Sequence, residues 1–218
     1  MRVSLTFDNG PDADATPHVL DVLAKTGVEA SFFLLGSALA KDASLRNLAL
    51  RARAEGHAVG NHTYSHRTLG TIADPEEALA EIERTQALIG DAASPQRLFR
   101  PPGGGGHLNK DVLTPKAFEH LRDNQYSCVF WNSVPRDWED IDGWVVRALG
   151  DLSRQAWTVL VLHDVNTGAM QRLEGFIRSA QELGANFTGE FPTSCTPLWR
   201  GQVNWLPDME PCLSHTHD

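Results

Sequence analysis

Several things are scarce in this chain, and each scarcity removes a class of protein. Among its 218 residues no apolar run approaches the roughly 20 residues that a membrane-spanning helix needs. Basic residues are outnumbered: 19 Lys and Arg stand against 28 Asp and Glu, a formal net charge of −9, with no lysine or arginine cluster. A nucleic-acid or anionic-membrane partner is therefore not expected. The N-terminal Met1–Phe7 lacks the charged start, long apolar middle and small-residue cleavage site of a secretory leader, so the expectation is a cytoplasmic location, with a secreted protein trimmed of its leader as the alternative. Three cysteines make no disulfide framework. Cys128 sits in an apolar stretch and reads as a buried thiol, and Cys195 and Cys212 form the one pair that could join. Internal repeats and low-complexity linkers are also missing.

What is present is an alternation of strand-like and helix-like segments. Arg2 to Phe7, Ala30 to Leu35, His57 to Asn61, Arg97 to Phe99, Tyr126 to Trp131, Thr158 to His163 and Ala185 to Phe187 read as strands. Helices are predicted over Thr16–Lys25 with Thr16 as cap, Asp42–Glu55, Asp74 to about Ile89 with Asp74 as cap and Glu77 three residues on, Lys110–Asn124 with a break near Pro115, Ile141–Arg154 and Gly168–Leu183. About seven strand–helix pairs predict a parallel α/β fold, a barrel or an open sheet, in one domain spanning 1–218. From about residue 190 the chain is rich in proline and tryptophan without period and reads as a tail wrapped over the domain.

The polar motifs all follow strands: Asp8, His62, Arg100, Asp137 and His163. In a parallel α/β domain the loops at the carboxyl ends of strands share one rim, and active sites form there. Asn61-His62-Thr63-Tyr64-Ser65-His66 spaces two histidines by four. If the segment is helical, both rings lie on one face and can hold one metal ion. Such a pair arises easily among nine histidines, and His215 and His217 illustrate one without a site. Asp8-Asn9-Gly10-Pro11 taken alone is a turn. Arg100-Pro101-Pro102 pins an arginine that can hold a carboxylate, and the four glycines that follow, Gly103 to Gly106, allow backbone N–H groups close to a ligand or simply form a flexible loop. His163 ends an apolar strand, where a structural histidine is the ordinary reading, and Asp137 is an ordinary cap or ion-pair partner.

Taken in this order, the motifs resemble the polysaccharide deacetylases, the carbohydrate esterase family that shares the NodB-type homology domain, over roughly residues 2 to 187. The resemblance implies a distorted (β/α) barrel with about seven repeats. It implies hydrolytic removal of N-acetyl groups from an N-acetylated carbohydrate, chitin-like or peptidoglycan-like, assisted by one divalent metal ion: zinc, with cobalt or nickel as alternatives. By position, Asp8 matches the general base, Arg100 the residue that orients it, His163 the general acid and Asp137 its carboxylate partner. His62, His66 and Asn9 match the metal ligands. Gly103 would supply an oxyanion N–H, and Trp138 and Leu160 would line the pocket for the acetyl methyl. Three positions depart from the family pattern: Asn9 replaces an aspartate, Val134 replaces another, and Gly103 stands where an aromatic residue is common. Two other readings follow from the departures: hydrolysis of a small non-sugar amide on the same scaffold, and a catalytically weak sugar-binding relative.

Overall fold

A computed structural model describes residues 1–109 and 111–205. Lys110, at the predicted start of one helix, lies outside the described residues, as do Cys212, His215 and His217. The chain runs β1 (Arg2–Asp8), α1 (Ala15–Thr26), β2 (Ala30–Leu34), α2 (Gly36–Lys41), α3 (Arg46–Ala54), β3 (Ala58–Asn61), α4 (Pro75–Ile89), β4 (Leu98–Phe99), α5 (Pro115–Asp123), β5 (Ser127–Cys128), α6 (Trp144–Arg154), β6 (Trp157–His163), α7 (Leu173–Glu182), β7 (Asn186–Phe187), β8 (Leu198–Trp199) and β9 (Gln202–Val203).

The strands lie in the order β6-β1-β2-β3-β4-β5-β8-β9, and β6 through β5 are parallel. The sheet curls. Beyond β5 the chain crosses to β6, where Ser133 pairs with Leu160 and its carbonyl accepts from Val161 N–H at 3.0 Å. The expected distorted α/β barrel is the observed fold. Strand β1 explains why it closes: its side chains alternate, and both faces are buried. Val3, Leu5 and Phe7 join Leu160 and Leu162 in the main core, packed on Val19, Leu20 and Leu23 of α1 and Phe176 and Ile177 of α7. Burial of each such side chain stabilises by about 1.5–3 kcal/mol. On the opposite side a small cluster of Phe33, Leu98 and Val129 fills the interior below the rim.

The observed elements differ from expectation at several ends. The predicted helix 42–55 is a three-residue 3-10 turn followed by α3, and α2 before it was not anticipated. Pro115 starts a helix rather than breaking one: Thr114 Oγ1 accepts from Ala117 N–H at 3.1 Å, and proline suits a first turn whose N–H groups have no helical partner. Thr16 lies inside α1 rather than capping it, and Asp12 Oδ1 accepts the N–H groups of Asp14 and Ala15 instead. Helix α6 begins at Trp144, three residues later than expected, and a 3-10 turn precedes α7. The segment after 190 is not merely draped. Its β8 pairs antiparallel with β5, and Cys195 O accepts from Phe130 N–H at 2.7 Å, so it completes the sheet edge. Cys195 is buried and joins no disulfide among the described residues. Among the described residues, no helix is long and apolar enough to cross a membrane.

Candidate active site

Strands β1, β3 and β6 and the segments after β4 and β5 end on one rim. There a cavity of about 400 Å³ is lined by Asp8, Asn9, His62, His66, Gly103, Trp138 and His163, among others. Seven of the ten expected site residues therefore line one space.

Asp8 is 4% exposed and ends β1 on its inward face. Arg100, fully buried, donates through Nη1 to Asp8 Oδ1 at 2.8 Å and to Thr6 Oγ1 at 2.8 Å. Its Nε donates to Val129 O at 3.1 Å. Thr6 and Asp8 are two apart on a strand, so one guanidinium nitrogen bridges both. Burial pushes the Asp8 carboxyl up, but the charges of Arg100, His62 and His163 outweigh it and hold the pKa below the usual carboxylate range. Asp8 is therefore an anion at neutral pH.

Across the cavity, His163 Nδ1 lies 2.9 Å from Asp137 Oδ1, and His163 N–H donates to Asp137 Oδ2 at 2.9 Å. One carboxylate thus fixes both the backbone and the ring. Burial lowers the imidazole pKa, but the Asp137 hydrogen bond and charge more than compensate, and the net shift is upward. The Trp138 and His163 rings meet edge to face, with centroids 4.7 Å apart at 82°.

The two histidines of the 62–66 segment do converge, with ring centroids 5.0 Å apart, but not through a helix. Thr63 and His66 have φ of 68° and 62°, and the segment is an irregular loop. His62 Nδ1 lies 2.7 Å from Arg100 O. A carbonyl only accepts, so Nδ1 carries the proton and Nε2 presents a lone pair. Burial drives the His62 pKa down to about 4, leaving the ring neutral. Asn9 has a left-handed backbone, φ 73°, which asparagine tolerates well. Its side-chain oxygen is buried without a hydrogen-bond partner. An orphaned oxygen on a residue that lines the same cavity as His62 and His66 suits a cation, since amide oxygen and neutral imidazole nitrogen each have a lone pair to give. Among the described residues no three His, Cys, Asp or Glu side chains are grouped to hold a metal ion, so the candidate donor set depends on the amide of Asn9.

Arg100 and Asp137 stand behind the cavity, Arg100 pinned to Asp8 and Asp137 to His163. Leu160 does not line it. Residues alternate along β6, so Leu160 faces outward into the main core, and Val161 lines the cavity instead. Gly103 does line it, with φ +84° and a site for Cβ only 2.9 Å from Thr68 Oγ1. A side chain there would be strained and crowded, which accounts for glycine at this turn. Trp131, Val134 and Val165 also line the cavity and were not anticipated. They are apolar residues in loops, where no period marks them. Thr6 was also missed, although a hydroxyl two residues before Asp8 on an otherwise apolar strand was a visible signal.

Comparison with known proteins agrees with this geometry. A family model described as polysaccharide deacetylase matches residues 1–128. A peptidoglycan-N-acetylglucosamine deacetylase of Bacillus cereus is 30% identical over 188 residues, covering 83% of this chain and 81% of that protein. Another from the same organism is 30% identical over 192 residues, and there the chain spans 66% of the relative's length. A chitooligosaccharide deacetylase of Sinorhizobium fredii is 37% identical over 166 residues, 74% of this chain and 71% of the relative. Among solved structures, a family 4 carbohydrate esterase from Streptomyces lividans in complex with acetate superposes with a TM-score of 0.71 at 26% identity, over 89% of this chain and 95% of that one. A peptidoglycan N-acetylglucosamine deacetylase superposes with a TM-score of 0.70 at 29% identity, over 86% and 85%. With motifs, fold and relatives in agreement, this chain belongs to the polysaccharide deacetylase family.

Proposed function

We propose that this protein hydrolyses the N-acetyl group of an N-acetylated amino-sugar oligomer or polymer, chitin-like or peptidoglycan-like, with one divalent cation, zinc in the first instance. The observation that carries the reading is the opposition, across one cavity, of an anionic carboxylate and a histidine held toward its protonated form. Acyl transfer to water from an amide needs both: a base for the water and an acid for the poor amine leaving group. Asp8 takes the proton of the attacking water, oriented by Arg100. His163 gives a proton to the departing nitrogen, and Asp137 keeps its ring charged and aimed. Trp138, Val161 and Val165 offer an apolar wall for the acetyl methyl, and Gly103 lies where a backbone N–H could meet the developing oxyanion. His62, His66 and Asn9 would hold the cation, which when bound polarises the carbonyl and acidifies the water.

The test is acetate release from N-acetylglucosamine oligomers by metal-stripped protein with and without added zinc. Acetate only on zinc addition supports the reading, and no acetate under either condition sinks it. A second reading, a weakly active sugar binder, is favoured by Asn9, whose neutral oxygen holds a hard cation less firmly than a carboxylate. Asn9→Asp should then tighten zinc binding, measured by chelator competition. Equal affinities would remove Asn9 from the ligand set.

A further inference from the structure

We propose that Glu81, on α4 and outside the cavity, is the positioning residue for the His62–His66 pair and sets the affinity of the site for its cation. This rests on the reading of those histidines as ligands. Helix α4 buries Ala78, Glu81, Ile82, Thr85 and Ile89, the stripe that a 3.6-residue period lays against the core. Four of these are apolar or small. The fifth is a carboxylate, 6% exposed, where the period calls for an apolar side chain. Burying it costs solvation unless its oxygens are occupied.

The 62–66 loop occupies them. Glu81 Oε2 accepts from Tyr64 N–H at 3.0 Å and Ser65 N–H at 2.7 Å, and Oε1 accepts from Ser65 Oγ at 2.8 Å. No cation lies among these partners. The carboxylate is held by two backbone N–H groups and one hydroxyl, all from the loop. The other edge of the same peptides is held as well: Gly36 N–H donates to Thr63 O at 3.0 Å and Ser37 N–H to Tyr64 O at 2.8 Å. Asn61 Oδ1 accepts from Thr63 N–H at 2.9 Å. The loop needs this restraint because Thr63 and His66 both have left-handed φ, unfavourable for residues with a Cβ and costly for β-branched threonine. Without Glu81, the Tyr64 and Ser65 N–H groups lose their anchor, and the left-handed Thr63 and His66 on either side are free to relax toward ordinary backbone angles. His66, one residue on, would then swing away from His62, whose own ring is anchored separately on Arg100 O. The effect of Glu81 therefore falls on convergence of the pair rather than on either substrate or proton transfer.

The test is zinc titration of metal-stripped protein by chelator competition, alongside melting of the metal-free form. Supporting groups of this kind are typically worth about 10–100-fold in metal affinity. Glu81→Ala should lose at least tenfold. Glu81→Gln, which keeps the length and one acceptor oxygen, should recover to within about threefold of wild type. Ile82→Val, a core change on the same helix, should lower the melting temperature and leave affinity unchanged. If Glu81→Ala does not fold, Glu81→Asp, one methylene too short to reach both amides, should weaken zinc in the same direction. Wild-type affinity in the folded Glu81 variants, or losses in Ile82→Val that match Glu81→Ala, overturns the proposal. His62→Ala separates the two levels. If it binds zinc as wild type does, the metal assignment falls and this inference with it; if it loses zinc while Glu81→Ala keeps it, only the inference falls.

Discussion

The two faces of β1 put alternate residues of one seven-residue strand to different uses. Outward, Val3, Leu5 and Phe7 are stacked against helices, and Phe7 lies on Phe32 with ring centroids 5.1 Å apart. Inward, Thr6 and Asp8 meet a buried arginine. Both faces are buried, but only one is apolar. The outward face gains by removing surface from water. The inward face spends some of that gain to hold a carboxylate and a guanidinium in a fixed geometry. A change on the outer face should therefore read as lost stability, and a change on the inner face as lost rate.

The largest effect expected is on the inner face. His163→Ala removes a positioned proton donor and should lower kcat by about 10²–10⁴-fold with little change in melting temperature. A kcat within tenfold of wild type would show that another group supplies the proton. Asp8→Asn should cost as much in rate but also blur the contrast. Among the described residues it removes the one carboxylate that pairs with buried Arg100, and removing one partner of a buried pair typically costs about 3–5 kcal/mol. Denaturant unfolding of this variant alongside its kinetics checks both halves.

Phe7→Ala is the outer-face counterpart. A fully buried phenylalanine replaced by alanine should lower unfolding free energy by about 3–5 kcal/mol while kcat of the folded fraction stays near wild type. Equal losses of rate and stability would mean that the two faces are not separable.

Smaller effects sharpen the inner face. Asp137 holds the His163 pKa above its ordinary value of 6.5. Asp137→Asn withdraws that charge, so the imidazole loses its proton at lower pH and the alkaline limb of the kcat profile should move downward. An unmoved limb would indicate that His163 is not the titrating acid. Next to it, Asp164 is fully buried with one oxygen unpartnered, and burial pushes its pKa from 3.8 up to about 7. The folded state thus holds this proton more tightly than the unfolded chain, so the stability contributed is present below about pH 4 and lost as pH rises through 7. Asp164→Asn has no proton to lose. In metal-free protein its melting temperature relative to wild type should be higher at pH 8 than at pH 4. A pH-independent difference would contradict that.

These contrasts also mark what could be read from the chain in advance. The outer face was legible because burial against helices imposes a period, and the strands β1, β2 and β6 were found for that reason. The polar residues at strand ends were legible as chemistry because the carboxyl ends of parallel strands share a rim. Ends of helices were missed where a proline or a short 3-10 turn set the boundary. Leu160 was misplaced because carrying a role over by position took no account of which way a strand residue points. Glu81 broke the α4 pattern in plain view, but a carboxylate on a helical stripe means nothing until its partners are known.

By itself, then, the sequence determined the alternating architecture, the motif residues and the family, since these follow from local periodicity and from residue type at strand ends. The tertiary structure decided the rest. It brought His62 and His66 together through left-handed turns rather than a helix, turned Val161 rather than Leu160 to the cavity, and gave Arg100 both Thr6 and Asp8. Each of these depends on contacts between residues tens of positions apart, whose geometry is set by how the curled sheet closes.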